Sequence, residues 1–387
     1  MGWLARCWRG VLIAAAFIAP AVSASADLAV TANDAHSANV DGVVGPAKSP
    51  APDTVSVVDV AQYPPKVVAT VNAPTSVVGA PTSIWIAPDE SFVLVTAATK
   101  IEPQNPERIV SDDRVSVIDL KASPPRVVQQ LNSGEGANGI SVSPDGTLAL
   151  VANRAEGTLS IFTVKRKRLD VAGKLDLGNP KSMPSSVAFL PDGKTALLTR
   201  YGENLTSVLH LDGTTVTVDD RPLTTGVSPY TLDINSDGTL AAVSNMGRGN
   251  GDMDTVSLID LTQKPFRTVE TLAVGHSPEG LKFSPDGKFL AVANVEGSTK
   301  PASSPFYRDH GTLVLLAVEG QTLHPLAEAP IGRWSQGIAF SKDGHTIFVG
   351  SMIDHALDLF RWEDGKLTEG PKLDIGSGPA AIRTGWP

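Results

Sequence analysis

Residues 278–294 read Pro278-Glu279-Gly280-Leu281-Lys282-Phe283-Ser284-Pro285-Asp286-Gly287-Lys288-Phe289-Leu290-Ala291-Val292-Ala293-Asn294. Two runs with apolar residues at adjacent or alternate positions flank Ser284-Pro285-Asp286-Gly287. Proline presets φ and glycine accepts the positive φ that closes a tight reversal, so the stretch predicts a β-hairpin. Working outward, the same reversal recurs as Pro88-Asp89-Glu90, Pro144-Asp145-Gly146, Pro191-Asp192-Gly193, Ser236-Asp237-Gly238 and Lys342-Asp343-Gly344. A chain written as one repeated hairpin unit is a solenoid or a propeller.

Each reversal separates a strand a from a strand b. The a strands begin near Ile84, Ile140, Val187, Leu232, Leu281 and Ile338, so the repeats are 56, 47, 45, 49 and 57 residues long, the period of a four-stranded blade. Seven c strands with alternating β-branched residues follow: Thr54 to Val60, Val115 to Leu120, Thr158 to Val164, Thr206 to Leu211, Val256 to Leu261, Thr312 to Val318 and Ala356 to Trp362. A d strand comes after each, as in Lys66 to Val71 or Arg267 to Leu272. Seven c strands against six a-to-b reversals leave one blade to be shared between the chain ends. Leu28 to Asn33 reads as a b strand and Pro379 to Thr384 as an a strand. Pairing them removes an open sheet edge. The 29 prolines and 35 glycines fall at strand-like intervals, and no stretch shows sustained helical spacing. The expectation is an all-β chain: a seven-bladed β-propeller of four-stranded antiparallel blades, closed by pairing of the N- and C-terminal strands.

Val151-Ala152-Asn153 followed by Thr158-Leu159-Ser160-Ile161, Val292-Ala293-Asn294 followed by Thr312-Leu313-Val314-Leu315, and Asp254-Thr255-Val256-Ser257-Leu258-Ile259-Asp260-Leu261 resemble the YVTN-type propeller repeat, over essentially all of residues 27–387. The resemblance implies the seven-bladed fold. Propellers of this group include bacterial surface and periplasmic proteins, lactonases similar to 6-phosphogluconolactonase, cycloisomerases and heavy subunits of quinone-dependent amine dehydrogenases, so the fold by itself selects no activity. The lactonase-like branch is marked by a His-Pro-His approach to an a strand. Here the corresponding residues are His276-Ser277-Pro278-Glu279, without the second histidine.

The first 26 residues read as an export signal that is cleaved before Asp27: Arg6 and Arg9 are basic, Val11 to Ala19 is apolar, and Ala24-Ser25-Ala26 is small. The apolar run ends at Pro20, well short of the ~20 residues that span a bilayer. The expected product, 27–387, is a single periplasmic or secreted propeller domain with no stable membrane insertion. Cys7 leaves with the signal, so no disulfide is expected. Lys+Arg falls from 32 to 30 against 41 acids, a net charge of −11, which disfavours nucleic acid as a partner. Lys165-Arg166-Lys167-Arg168 reads as a solvated turn between two strands.

Strand connectivity puts the d-to-a connections and b-to-c loops on one face, the top. The b-to-c loops 34–53, 98–113, 246–254 and 295–311 are long, those of blades three, four and seven short. Long irregular loops on a regular scaffold mark function, and the loops of blades six and one lead us to expect a cleft over blade seven. At the start of each a strand, in matching register, Thr82, Asn138, Ser185, Tyr230, Glu279, Gln336 and Ala380 ring the channel mouth, with Glu279 its one carboxylic acid. The expected catalytic set is Glu279, His310 and Arg333, with His276, Asn138, Tyr230, Tyr307, Arg308, Trp334 and Gln336 binding ligand. A guanidinium holds a carboxylate in two parallel hydrogen bonds while a carboxyl or imidazole moves a proton. The plainer alternative is that Arg308 pairs with Asp309 and that His276 and Glu279 are solvated loop residues. His276, His310 and His355 come from three consecutive blades, and no metal motif of short spacing is present, so no metal is assigned and no cofactor is implied.

No nucleophile elbow, phosphate-cradling loop or dinucleotide fingerprint is found. Three readings remain. The first is an exported binding propeller recognising a small acidic ligand or an envelope partner protein on its top face. The second is a lactonase- or cycloisomerase-like enzyme acting on a sugar-acid or related lactone. The third is a heavy subunit of a quinone-dependent amine dehydrogenase-type complex. Deleting residues 378–387 is expected to lower the melting temperature sharply, because it reopens the shared blade; an unchanged melting curve would count against closure by the chain ends.

Overall fold

The computed structural model describes residue 2 and residues 27–385. The expected signal segment, Gly2 apart, lies outside the described residues, as do Trp386 and Pro387. Seven antiparallel sheets follow one another around an axis, each with its strands in the order a, b, c, d. The blade-seven sheet carries an additional short strand, Leu373–Asp374. The shared blade forms as expected and one residue longer at each end: Leu28–Asp34 lies between Gly378–Thr384 and Thr54–Asp59. Val30 faces Arg383 on one side and Val57 on the other.

The repeated reversal works through side chains as well as φ. In Ser284-Pro285-Asp286-Gly287 the serine hydroxyl donates to Asp286 (2.7 Å) and accepts the Phe289 amide (2.9 Å), while Asp286 accepts the Lys288 amide (3.1 Å). Gly287 has φ +69°. Ser143 and Ser341 repeat the pattern. In blade two Glu90 takes the left-handed position at φ 52°, and its carboxylate accepts the Leu28 amide at 2.9 Å. A residue with a backbone cost thereby anchors the N-terminal strand to its neighbour.

Both faces of each blade are apolar because both are buried against a neighbouring blade. Distinct clusters fill the gaps between blades, among them Val30, Val57, Ile84 and Val95 between blades one and two, and Ala29, Phe348, Leu359 and Ile382 between seven and one. Near the axis the a strands approach closely. A Cβ on Gly280 would lie 2.1 Å from the Gln336 carbonyl oxygen, and one on Gly337 would lie 2.7 Å from the Ile382 nitrogen, so nothing larger than glycine fits there.

The long loops of blades one and two are more regular than expected. They fold into hairpins, Ser37–Val40 with Val43–Pro46 and Thr99–Glu102 with Asn105–Ser111. Asp41-Gly42, both at positive φ, turns the first of them, which is the dipeptide such a hairpin favours. Among the described residues the helical content is one 3₁₀ turn, Tyr201–Glu203, and no helix is long and apolar enough to cross a membrane.

Candidate functional site

Six of the seven mouth positions are displayed by β-bulges. In blades three to seven and one, the a-to-b register slips beside Asn138, Ser185, Tyr230, Glu279, Gln336 and Ala380. A bulge frees one residue from the ladder and re-aims its side chain. A second ring stands beside the first, at the residue following each b strand or, in blade one, ending it: Asp34, Ala97, Arg154, Tyr201, Met246, Val295 and Met352. The two rings divide the mouth. Toward blades six, seven and one, Val295, Trp334, Met352 and Ala380 bury one another together with Val77. The cleft expected over blade seven is therefore filled by an apolar plug, because its short loop lets these side chains meet over the axis. Toward blades three to six the mouth is polar.

Glu279 is the centre of the polar half. It is 7 % exposed, and its Oε2 is buried with no hydrogen-bond partner. Burial pushes its carboxyl up to about 8, with the Arg154 charge pulling the other way. The Arg154 guanidinium donates to Ser185 Oγ and lies 4.5 Å from the Tyr201 ring centroid and 5.6 Å from that of Tyr230. The two tyrosines meet edge to face at 5.8 Å. Among the described residues no ion pair joins Arg154 to a carboxylate; its neighbours are a hydroxyl and aromatic faces. Three more mouth atoms are buried without a partner, Thr82 Oγ1, Asn138 Oδ1 and Gln336 Oε1.

Two cavities open beside this group. One of about 200 Å³ is lined by Glu279, Tyr201, His276, Arg248 and Lys300, among others. Burial, followed by the Lys300 charge, lowers the His276 imidazole below its ordinary value. The other, about 590 Å³, lies over blades two to four and includes Arg154, Lys181, Thr99 and Ser111 in its wall. A strap, residues 74–81, borders it through Val78. Asp53 accepts the Thr75 amide and Asp34 the Val77 amide. On the far side Asn138 Nδ2 donates to the Ala80 carbonyl at 3.2 Å.

Asp34, His36 and Asp53 are the one group among the described residues with metal-ligand proximity. Their oxygens are already engaged. Asp34 accepts three backbone amides, and Asp53 accepts two as well as His36 Nδ1 at 2.8 Å. The donor set thus fits a structural clasp on the strap rather than an ion site.

The structure brings only part of the sequence-predicted set together. Glu279, His276, Tyr230, Asn138 and Gln336 do stand at the mouth or its small cavity. Arg333 is held by Asp354 through Nε (3.0 Å) and Nη2 (2.8 Å), and exposed His310 pairs with Asp309 at 2.6 Å. Neither forms a hydrogen bond to Glu279, whose Oε2 has none. Trp334 belongs to the plug. Tyr307 and Arg308 lie on the blade-six loop, where Arg308 donates to the Tyr307 carbonyl and not to Asp309. Arg154 and Tyr201 were missed, although their register, one residue past a b strand, is readable in the sequence.

No family model and no curated protein matches this chain. Solved structures do. A 6-phosphogluconolactonase candidate from Bacteroides fragilis matches with a TM-score of 0.70 at 15 % identity, over 95 % of this chain and 99 % of that one. The periplasmic gluconolactonase of Pseudomonas aeruginosa matches at 0.68 and 18 %, over 93 % and 99 %. Kuenenia stuttgartiensis hydrazine synthase matches at 0.60 and 18 %, over 79 % and 90 %. At such identities the likeness is one of fold, that of the lactonase-like propellers among others.

Because the folded Glu279 carboxyl titrates near 8 against 4.5 for the free group, the folded state holds a proton that the unfolded state has released over that interval. Its contribution to stability is fully present below pH 4.5 and is lost as pH rises through 8. Melting curves between pH 5 and 9 are expected to fall less steeply for Glu279→Gln than for the wild type; parallel curves would exclude a buried neutral carboxyl.

Proposed function

We propose that this chain is an exported propeller that binds a small acidic molecule on its top face, with Arg154 as the anchor of the ligand carboxylate. The observation that carries this reading is the pairing of a guanidinium lacking a carboxylate partner with a buried carboxyl that is largely protonated at neutral pH. A protonated Glu279 leaves the positive charge of Arg154 available, and a planar guanidinium suits a carboxylate. Lys181, Arg248 and Lys300 add positive charge around the same cavities, against a chain of net charge −9, which favours electrostatic capture of an anion at this face.

A second reading, opening of a lactone, is favoured by Glu279 itself. A carboxyl titrating near 8 in a cavity wall can deliver a proton to a leaving alkoxide, and two lactonase-related propellers share the fold. In that case hydrolysis of glucono-δ-lactone by the purified protein would exceed the buffer rate and fall at least tenfold in Glu279→Gln.

For binding, carboxylates of varied body are expected to raise the wild-type melting temperature saturably, with the rise lost in Arg154→Met and partly kept in Arg154→Lys. A rise unaltered in Arg154→Met would place the anion elsewhere. Export rests on the basic, apolar and small segments of residues 1–26. N-terminal sequencing of protein from a periplasmic extract is expected to begin at Asp27, and recovery of Met1 from the cytoplasm would overturn it.

A further inference from the structure

Resting on the reading that Arg154 anchors a carboxylate, we infer that the ligand is a monocarboxylic acid with an apolar body, seated in the cavity of about 590 Å³ over blades two to four. Its size is that of ordinary small-molecule sites, roughly 300–1,000 Å³, whereas the neighbouring cavity at Glu279, about 200 Å³, is too small to hold such a body. Val78, Ala98, Ala155, Pro180 and Met183 give the larger cavity a mostly apolar wall.

Its polar groups are few and unequal. The Thr99 hydroxyl is already held by Ser76 Oγ at 2.7 Å, with His36 Nε2 at 3.4 Å, and so has little capacity left for a ligand. Ser111 and Lys181 are exposed at the rim, where water satisfies them. No aspartate or glutamate is among the lining residues, so no side-chain charge in the wall repels an anion. Arg154, half-buried, is the remaining strong donor. A polyhydroxylated sugar acid would bury hydroxyls against methyl and methylene groups and leave them unpaired, which costs affinity. An alkyl or aryl acid meets the same wall with matching surface and presents one carboxylate to one guanidinium. The ligand class that follows differs from the sugar acids that the fold likeness alone would suggest.

The test is isothermal titration of the purified protein with octanoate, phenylacetate and gluconate, each below any micellar concentration. Octanoate and phenylacetate are expected to bind at least tenfold more tightly than gluconate. Ala155→Asp and Pro180→Asp, both at exposed wall positions, place a carboxylate in the apolar wall. Each is expected to weaken the two apolar acids at least tenfold while leaving the ligand-free melting temperature nearly unchanged. If gluconate binds as well as or better than the apolar acids, the inferred class is wrong while the acidic-ligand reading stands. If no acid binds, both fall. If octanoate binds equally to the wild type, Ala155→Asp, Pro180→Asp and Arg154→Met, it sits elsewhere and the assignment of this cavity is overturned.

Discussion

Everything on the top face depends on the pairing of Leu28–Asp34 with Gly378–Thr384. That ladder converts a row of seven sheets into a closed ring, and closure leaves no inner strand free to drift from the axis. Every a strand then begins at the same end of the channel. The small residues next along those strands, such as Gly139, Gly280 and Gly337, allow neighbouring backbones to approach to distances a methyl group would forbid. Tight packing below and bulged strand starts above give a mouth whose lining is set by single residues, one from each blade. Few folds place seven side chains from such distant parts of a chain around one point.

The division of that mouth follows from what burial does to charge. On the plugged side Val77, Val295, Trp334 and Met352 exclude water. On the other, Glu279 is desolvated enough that its neutral form prevails at pH 7, so it contributes little negative charge where its identity alone would suggest an anion. Arg154, stacked against two aromatic faces, keeps its charge because a guanidinium is not deprotonated in proteins. At this point of an acidic protein the Arg154 charge thus faces a largely neutral Glu279. In the proposed reading, affinity for an anion would rest less on the number of cations than on the suppression of the nearby carboxylate.

The fold was legible because its punctuation is local. A Ser-Pro-Asp-Gly reversal closes through groups only a few residues apart, such as the Ser284 hydroxyl and the Phe289 amide, so sequence carries it fully. The mouth ring was equally legible, since it sits at a fixed offset from each a strand. The constellation of Glu279 with His310 and Arg333 was not. Arg333 is claimed by Asp354, and His310 by Asp309, local pairings that compete better than a partner across the mouth. The plug was invisible for the opposite reason: Val77 on the strap, Val295 of blade six, and Trp334 with Met352 of blade seven are far apart in the chain, and only closure brings them together. Attention to long loops also hid Arg154 and Tyr201, which occupy short ones. A short loop holds its residues rigidly against the strand end, where a precise side chain is of most use.

The strap ties these parts together. Residues 74–81 leave blade one, where backbone amides of Thr75 and Val77 are accepted by Asp53 and Asp34, and reach across to Asn138. His36 sits between the two carboxylates. Burial disfavours its charged form, yet the hydrogen bond to Asp53 and the charge of Asp34 outweigh that and raise its basicity. Burial in turn raises the Asp34 carboxyl, and the oxygens of both carboxylates are otherwise taken up by backbone amides, which is how such a pair is kept in a nearly dry place. The same strap contributes Val77 to the plug and Val78 to the larger cavity. The clasp at blade one thus fixes at once what is closed at the mouth and what remains open, and the cavity wall is as rigid as the hydrogen bonds that hold its far end.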